Sequence, residues 1–174
     1  MSANVADAPV AALSEATRAR FAREVAKYPA EQKQSAVMAC LSIVQQEQGW
    51  VSSAWEKAVA EYLGMPPMAV HEVTSFYNMF NQQPVGRFKL NVCTNLPCQL
   101  RGGADALAYL EKTLGITDGD TTPAGLFTVQ HCECLGACAD APVMLVNDRT
   151  MCSFMSDDKL QQLVDGLKAA EVAP

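Results

Sequence analysis

The sequence predicts an α+β fold in which a small helical bundle, residues 14–84, precedes a unit of mixed strands and helices, residues 85–174. Two observations support this prediction. Apolar residues recur at helical spacing from Ser14 to about Phe80, with start and stop signals between the segments. After residue 84 the pattern changes to the apolar and polar alternation of strands. Residues 1–13 show neither pattern and are predicted to form a flexible terminus.

The first two predicted helices are recognised by their ends. Ser14 can cap a helix that reaches about Lys27, and the bond between Tyr28 and Pro29 favours a break because the residue before proline avoids helical dihedral angles. A second helix follows and ends at Gly49, which can adopt a left-handed conformation. Its apolar face is formed by Val37, Leu41 and Val44.

Two further helices complete the predicted bundle. Ser53 and Glu56 have the spacing of a capping box, in which each side chain accepts a hydrogen bond from a free backbone amide, and Gly64 can end that helix. Prolines at positions 66 and 67 stand where a fourth helix can begin, and it is predicted over residues 68–79. The apolar face of this helix is predicted to contain Val70, Val73, Phe76, Tyr77 and Phe80. Four short helices with tight connections predict a small bundle.

The second half of the chain alternates strands and helices. The predicted elements are a strand over Phe88–Cys93, a helix over residues 98–114, strands over residues 126–130, 143–146 and 150–154, and a helix over residues 156–169. Asn147 and Asp148 are predicted to form the turn between the last two strands. This order of strands and helices is that of a small thioredoxin-like unit.

Composition excludes several classes of function. The formal net charge of -6 and the lack of clustered Lys and Arg disfavour nucleic-acid binding. The longest stretch without a charged residue, from Val73 to Gly86, is too short and too polar to span a membrane. The first residues lack the basic start and long apolar run of a secretion signal. We therefore expect a cytoplasmic protein whose seven cysteines are reduced and available for metal or redox chemistry.

Four of the cysteines form two pairs that are far apart in the chain. Four residues separate Cys93 from Cys98, and three separate Cys134 from Cys138. Two pairs match the two irons of a 2Fe-2S cluster, each of which takes two thiolates. The spacing of the first pair also suits zinc. Cys98 would open a helix whose free amides and positive end favour an anionic cluster, and nearby glycines could allow close backbone approach: Gly102, Gly103 and Gly136.

These motifs resemble a known family. The segments VCTNLPCQLRGG, residues 92–103, and ECLGAC, residues 133–138, look like the two cluster loops of the small thioredoxin-like 2Fe-2S subunit of respiratory NADH:quinone oxidoreductase, complex I. The resemblance extends to the helical region that precedes the cluster domain in that family. It is carried there by QEQGW at residues 46–50, AEYLG at residues 60–64 and TSFYNMF at residues 74–80.

The resemblance implies a subunit without an active site of its own. It implies that Cys93, Cys98, Cys134 and Cys138 hold one 2Fe-2S cluster, while a partner subunit binds NADH and FMN and exchanges single electrons with this chain. The absence of a G-x-G-x-x-G loop here agrees with nucleotide binding elsewhere. Further iron-sulfur subunits are expected as partners, and these subunits would attach the chain to the periphery of the inner membrane.

Two other functions stay open at this point. The same kind of 2Fe-2S subunit occurs in soluble NAD-linked formate dehydrogenases and in the diaphorase part of NAD-linked hydrogenases. Four cysteines would also suit a zinc-stabilised interaction module without a redox role. A thiol-disulfide enzyme is disfavoured because the chain has no C-x-x-C motif.

The remaining cysteines and the histidines have less specific roles. Cys132 is an alternative to the ligands of the second motif, although the family pattern selects Cys134 and Cys138. Cys40 and Cys152 are predicted to be core residues because free cysteine is commonly buried. A Rieske site would need two histidine ligands, and His71 and His131 lie in unrelated segments. His71 is expected on a helix surface and His131 near the cluster as a hydrogen-bond donor.

Overall fold

A helical N-terminal part is followed by a part that combines helices with a mixed sheet, which confirms the predicted α+β class. The computed structural model describes residues 10–172, and the predicted flexible terminus lies mostly outside them. The chain divides into two compact units, an N-terminal unit that ends at Pro84 and a C-terminal unit that begins at Val85. Each unit has a hydrophobic core of its own.

The N-terminal unit consists of four α-helices. They are α1 over Glu15–Val25, α2 over Val37–Gln48, α3 over Ser53–Leu63 and α4 over Pro67–Phe76. The Ser14 side chain accepts a hydrogen bond from the Thr17 amide at 3.0 Å, and Gly49 ends α2 with φ of 81°, both as predicted. A 3-10 helix over Ala30–Ala36, which the sequence analysis did not predict, leads into α2.

The predicted capping box of α3 is wrong. Ser52, not Ser53, is the residue that precedes the helix, and its side chain makes no capping hydrogen bond. Glu56 is unavailable as a cap because its carboxylate is buried, where it contacts the His71 ring at 3.1 Å and accepts a hydrogen bond from the Thr74 hydroxyl. The glutamate therefore joins α3 to α4.

The fourth helix is shorter than predicted. It ends at Phe76, and Tyr77 leaves the helical region with φ of -93° and ψ of 106°. Helical spacing therefore does not extend beyond this point, and Phe76 is 79% exposed although it was predicted on the apolar face. Val70 and Phe80 are buried as expected.

The C-terminal unit is built on a four-stranded sheet in the order β2-β1-β3-β4. Strand β1, Phe88–Cys93, pairs in parallel with β2, Phe127–Cys132, and antiparallel with β3, Met144–Val146. Strand β4, Thr150–Cys152, pairs antiparallel with β3. The β3–β4 turn lies at Asn147 and Asp148 as predicted, and both residues are left-handed, with φ of 52° and 56°.

The helices of this unit differ from the prediction at one place. The single helix predicted over residues 98–114 is divided into a short helix α5, Leu96–Gln99, and a longer helix α6, Gly103–Leu114. Gly102 separates them with φ of 93°, a conformation that favours glycine. The last helix, α7, covers Asp157–Val172.

The two faces of strand β1 have different chemistry. Leu90 and Val92 belong to the hydrophobic core that also contains buried residues of α6 and α7. Because side chains alternate along a strand, Lys89, Asn91 and Cys93 lie on the opposite face, and all three are buried. The polar face of the strand therefore leads to a cysteine.

Among the helices of residues 10–172, none combines the length and the apolar character that a bilayer crossing requires.

Candidate metal centre

The first cysteine pair is buried at the end of strand β1. Cys93 is the last residue of β1, Cys98 lies in α5, and each is 1% exposed. The two cysteines share a small apolar cluster with Ala141 and Val143. The Cys93 amide donates to the Val143 carbonyl at 3.1 Å, which fixes the end of the strand.

Gly103 makes this compact arrangement possible. A Cβ atom at this position would lie 2.7 Å from the Cys93 carbonyl oxygen and 3.0 Å from the carbonyl group of Cys98. Backbone atoms cannot move away as a flexible side chain can, so position 103 has no room for a side chain. The expectation that glycine allows close backbone approach beside the first pair is met here.

The second pair lies on an exposed loop after strand β2. The sulfurs of Cys134 and Cys138 are 3.5 Å apart, and the Gly136 amide donates to the Cys134 sulfur at 3.4 Å. Two thiolates on one tetrahedral metal, with bonds of about 2.3 Å, would be about 3.8 Å apart. The second pair is therefore already close to the spacing that a single metal ion requires.

The two loops are adjacent in the structure. The Thr94 amide donates to the Cys132 carbonyl at 3.3 Å, and the Asn95 side chain donates to the Glu133 carboxylate at 2.6 Å. Leu135 and Ala137, which flank the second pair, pack against the cluster that contains Cys93 and Cys98. Segments about 40 positions apart in the sequence thus meet around four thiols.

The electrostatics of the thiols show that the pairs affect each other. Burial raises the pKa of Cys98, as do its hydrogen bond to Cys93 and the charges of Cys93 and Cys138, while a hydrogen bond from the Val143 backbone lowers it. The hydrogen bond to Cys134 raises the pKa of Cys138, with smaller effects from burial and from the charges of Cys134 and Cys93. Neighbouring thiolates repel one another, and a bound cation offsets this repulsion.

The donor set fits a 2Fe-2S cluster. The sulfurs of Cys134 and Cys138 are 3.5 Å apart, and Cys93 and Cys98 lie together in one small apolar cluster. Two thiolate pairs provide two sulfur ligands for each of two irons, which is the arrangement that this cluster takes.

Cys132 is placed beside the first pair. It is the last residue of β2, lies opposite Cys93 in the parallel ladder and packs against the cluster of the first pair. Burial, followed by the charges of Cys93, Asp148 and others, raises the pKa of Cys132 to about 12. Strand β2 ends at Cys132, so the alternation of side chains between the two faces of a strand does not extend to Cys134.

The other two cysteines lie in or against the hydrophobic cores, as predicted. Cys40 is fully buried in the core of the N-terminal unit, and Cys152 is half-buried against the core of the C-terminal unit.

Both histidines are bound to carboxylates. His131 is exposed, and its backbone amide and ring contact the Asp118 carboxylate at 2.7 and 2.5 Å, so its ring is held by Asp118 and not by a cysteine. His71 lies on the helix surface only in part, because its ring contacts the buried Glu56.

Sequence reasoning missed a polar cluster on the buried face of strand β1. The Lys89 ammonium lies 2.6 Å from the Asp148 carboxylate, and the Asn91 side-chain amide donates to the same carboxylate at 2.5 Å. The Asn91 amide oxygen is buried and has no hydrogen-bond partner among the described residues. The only signal in the sequence was the pair of polar residues between the apolar positions of FKLNVC, which did not identify Asp148 as the partner.

Comparisons with known proteins agree with this fold. A family model described as thioredoxin-like 2Fe-2S ferredoxin matches residues 21–168. NADH-quinone oxidoreductase subunit 2 of Thermus thermophilus is 42% identical over 146 residues, which cover 84% of this chain and 81% of the relative. Another NADH-quinone oxidoreductase subunit, from Rhizobium meliloti, is also 42% identical over 146 residues, with 84% of this chain and 85% of the relative covered.

One solved structure has the same fold at lower sequence identity. A crystal structure of an NAD+-reducing NiFe hydrogenase in the air-oxidized state matches with a TM-score of 0.67 and 21% identity. The match covers 78% of this chain but only 23% of the hydrogenase chain, so the similarity concerns one part of a larger protein.

Proposed function

Because the chain belongs to the thioredoxin-like 2Fe-2S ferredoxin family, we propose that it is the 2Fe-2S electron-transfer subunit of an NADH:quinone oxidoreductase. Its cluster is held by Cys93, Cys98, Cys134 and Cys138. The observation that carries the proposal is the adjacency of two cysteine loops, one with Cys93 and Cys98 in a single buried cluster and the other with its sulfurs 3.5 Å apart. The relatives that share over 40% identity are named as subunits of this enzyme.

The two thiol pairs have different tasks. Cys93 and Cys98 are buried, so they hold one side of the site in apolar surroundings that exclude water. Cys134 and Cys138 are exposed, so they leave the other side open for electron exchange with a partner. When bound, a 2Fe-2S cluster supplies reversible one-electron redox chemistry.

The partner in this proposal is a subunit that binds NADH and FMN. A hydride carries two electrons, and a flavin can take both and release them one at a time, which suits a one-electron carrier. The surface beside Cys98 supports such docking because Leu96 in α5 and Leu100 directly after it are both largely exposed. Attachment to the membrane would come from other subunits of the complex.

The proposal is tested by substitution of a ligand and of a matched core cysteine. We expect Cys98→Ser to lower iron and sulfide content or to change the visible and EPR spectra of the cluster. Cys40→Ser should leave metal content and spectra unchanged, because Cys40 lies in the core of the other unit. The reverse pattern would refute the ligand set.

Metal analysis separates the redox role from a zinc-stabilised module. Protein purified without oxygen should contain two irons per chain, have visible absorption and give a one-electron paramagnetic signal on reduction. One zinc per chain without visible absorption would overturn the proposed electron transfer.

A further inference from the structure

An ion pair between the buried Lys89 and the exposed Asp148 lies against the face of strand β1 that carries Cys93. The side chain of Lys89 is 3% exposed, and its ammonium contacts the Asp148 carboxylate at 2.6 Å. A lysine is rarely buried to this extent without a partner, because a charge removed from water must be compensated. The pair is therefore a fixed element of this sheet face.

The turn between β3 and β4 holds the carboxylate in place. Asn147 accepts a hydrogen bond from the Lys89 amide at 2.7 Å and donates to the Arg87 carbonyl at 3.2 Å, which fastens the turn to strand β1. The next residue, Asp148, then contacts both Lys89 and Asn91. Both charges of the pair consequently have defined positions.

Asn91 connects this pair to the cysteines. It lies two positions before Cys93 on the same strand face, a rise of about 7 Å, and its side-chain amide donates to Asp148. Cys93 in turn shares a small apolar cluster with Cys98. Lys89 lies four positions before this proposed cluster ligand, a rise of about 13 Å, and Asp148 contacts Asn91 between them.

Stability alone does not explain the pair. Removing the Lys89 ammonium from water costs free energy that its contact with the exposed Asp148 serves mainly to offset, and the unpaired oxygen of Asn91 adds a further cost. The Lys89 ammonium, however, is buried and is therefore screened weakly by salt, so its field reaches neighbouring groups. Such a field changes the free energy of adding an electron to a nearby group.

We propose that Lys89 and Asp148 set the reduction potential of the cluster bound at Cys93. Reduction adds one electron and hence one negative charge, which the Lys89 ammonium stabilises and the Asp148 carboxylate opposes. The inference rests on the proposed function. Neither residue is a ligand, and both act on the cluster through their charges.

The test is an EPR-monitored redox titration of the full, cluster-loaded chain at about pH 6. We expect Lys89→Met to make reduction about tenfold less favourable, a shift of about 59 mV to lower potential for a one-electron couple. Asp148→Asn should shift the potential in the opposite direction by a similar amount. Lys89→Arg, which keeps the charge, should stay near the wild-type value.

The controls separate this inference from the proposed function. Lys112→Met removes an exposed charge from α6 and should leave the potential unchanged. A wild-type chain without a one-electron signal would refute the proposed function, whereas a wild-type signal with Lys89→Met and Lys112→Met at equal potentials would refute only the role of the ion pair. If Lys89→Met does not retain its cluster, Asp148→Asn decides, and an unchanged potential in that variant overturns the inference.

Discussion

At the scale of single residues, the seven thiols differ most in their burial. Cys40 is fully buried, and burial, with a smaller effect from the charge of Glu24, raises its pKa to about 12. Cys134 and Cys138 are exposed at the loop after β2. The reactive species of a cysteine is the thiolate, so these residues should respond differently to an alkylating reagent.

We expect iodoacetamide at about pH 8 to modify Cys134 and Cys138 in the metal-free folded chain and to leave Cys40 unmodified. Peptide mass spectrometry after a short exposure gives the extent of reaction at each cysteine. Denaturation before exposure should make Cys40 react as well, because burial is the cause of its protection. Rapid modification of Cys40 in the folded chain would contradict its place in the core.

The sequence predicted the cysteine pairs better than it predicted contacts between polar side chains. The spacing of Cys93, Cys98, Cys134 and Cys138 pointed to two thiol pairs, and the structure brings their loops together. Polar pairs such as Glu56 with His71 were not predicted, because helical spacing shows which face a residue occupies but not which polar group it meets. Glu56 was assigned to a cap for the same reason.

At the scale of elements, the position of α6 after the break at Gly102 depends on Gly103. Its close approach to the Cys93 and Cys98 carbonyl groups places the start of α6 directly against the first cysteine pair. Sequence patterns predicted one continuous helix here, because the apolar spacing of α6 was clear and the left-handed turn at Gly102 was not.

We expect Gly103→Ala to lower the free energy of unfolding by about 1–3 kcal/mol, since an added methyl group forces backbone to shift. Chemical denaturation of the metal-free chain measures the change. Gly166→Ala is the matched control, because position 166 in α7 has open space around it. This control should be neutral or more stable by up to about 1 kcal/mol, owing to the helix propensity of alanine.

Element boundaries were less predictable than element types. The four helices before residue 85 and the strands after it were recognised from periodicity, whereas α4 ends at Phe76, three residues before its predicted end. Apolar residues continue past this boundary in the sequence, so hydrophobicity alone could not locate it. The β3–β4 turn was easier to predict from the sequence, because Asn147 and Asp148 are of residue types that tolerate the left-handed conformation.

At the scale of the whole molecule, the chain contains two units with separate cores. Buried apolar residues of the N-terminal core run from Phe21 to Phe80, and those of the C-terminal core from Leu90 to Val164. The sheet, both cysteine loops and the Lys89–Asp148 pair all belong to the C-terminal unit. The proposed redox chemistry is thus confined to one unit.

We expect residues 85–174, produced alone, to fold and to bind iron and sulfide at the level of the full chain. Circular dichroism should show a cooperative thermal transition, and metal analysis should give the same iron content per chain. The Cys98→Ser variant of the same fragment provides the control for nonspecific iron. A fragment without a cooperative transition would show that the C-terminal unit requires the helical bundle.

The backbone of the β3–β4 turn also restricts how this protein can evolve. Position 148 has φ of 56°, where glycine, asparagine and aspartate are accepted far more readily than other residues. Among these three, only aspartate is negatively charged. Substitutions accepted at position 148 therefore either keep the negative charge or remove it. The cluster potentials of related chains with the same turn should accordingly fall into two groups and not form a continuous range.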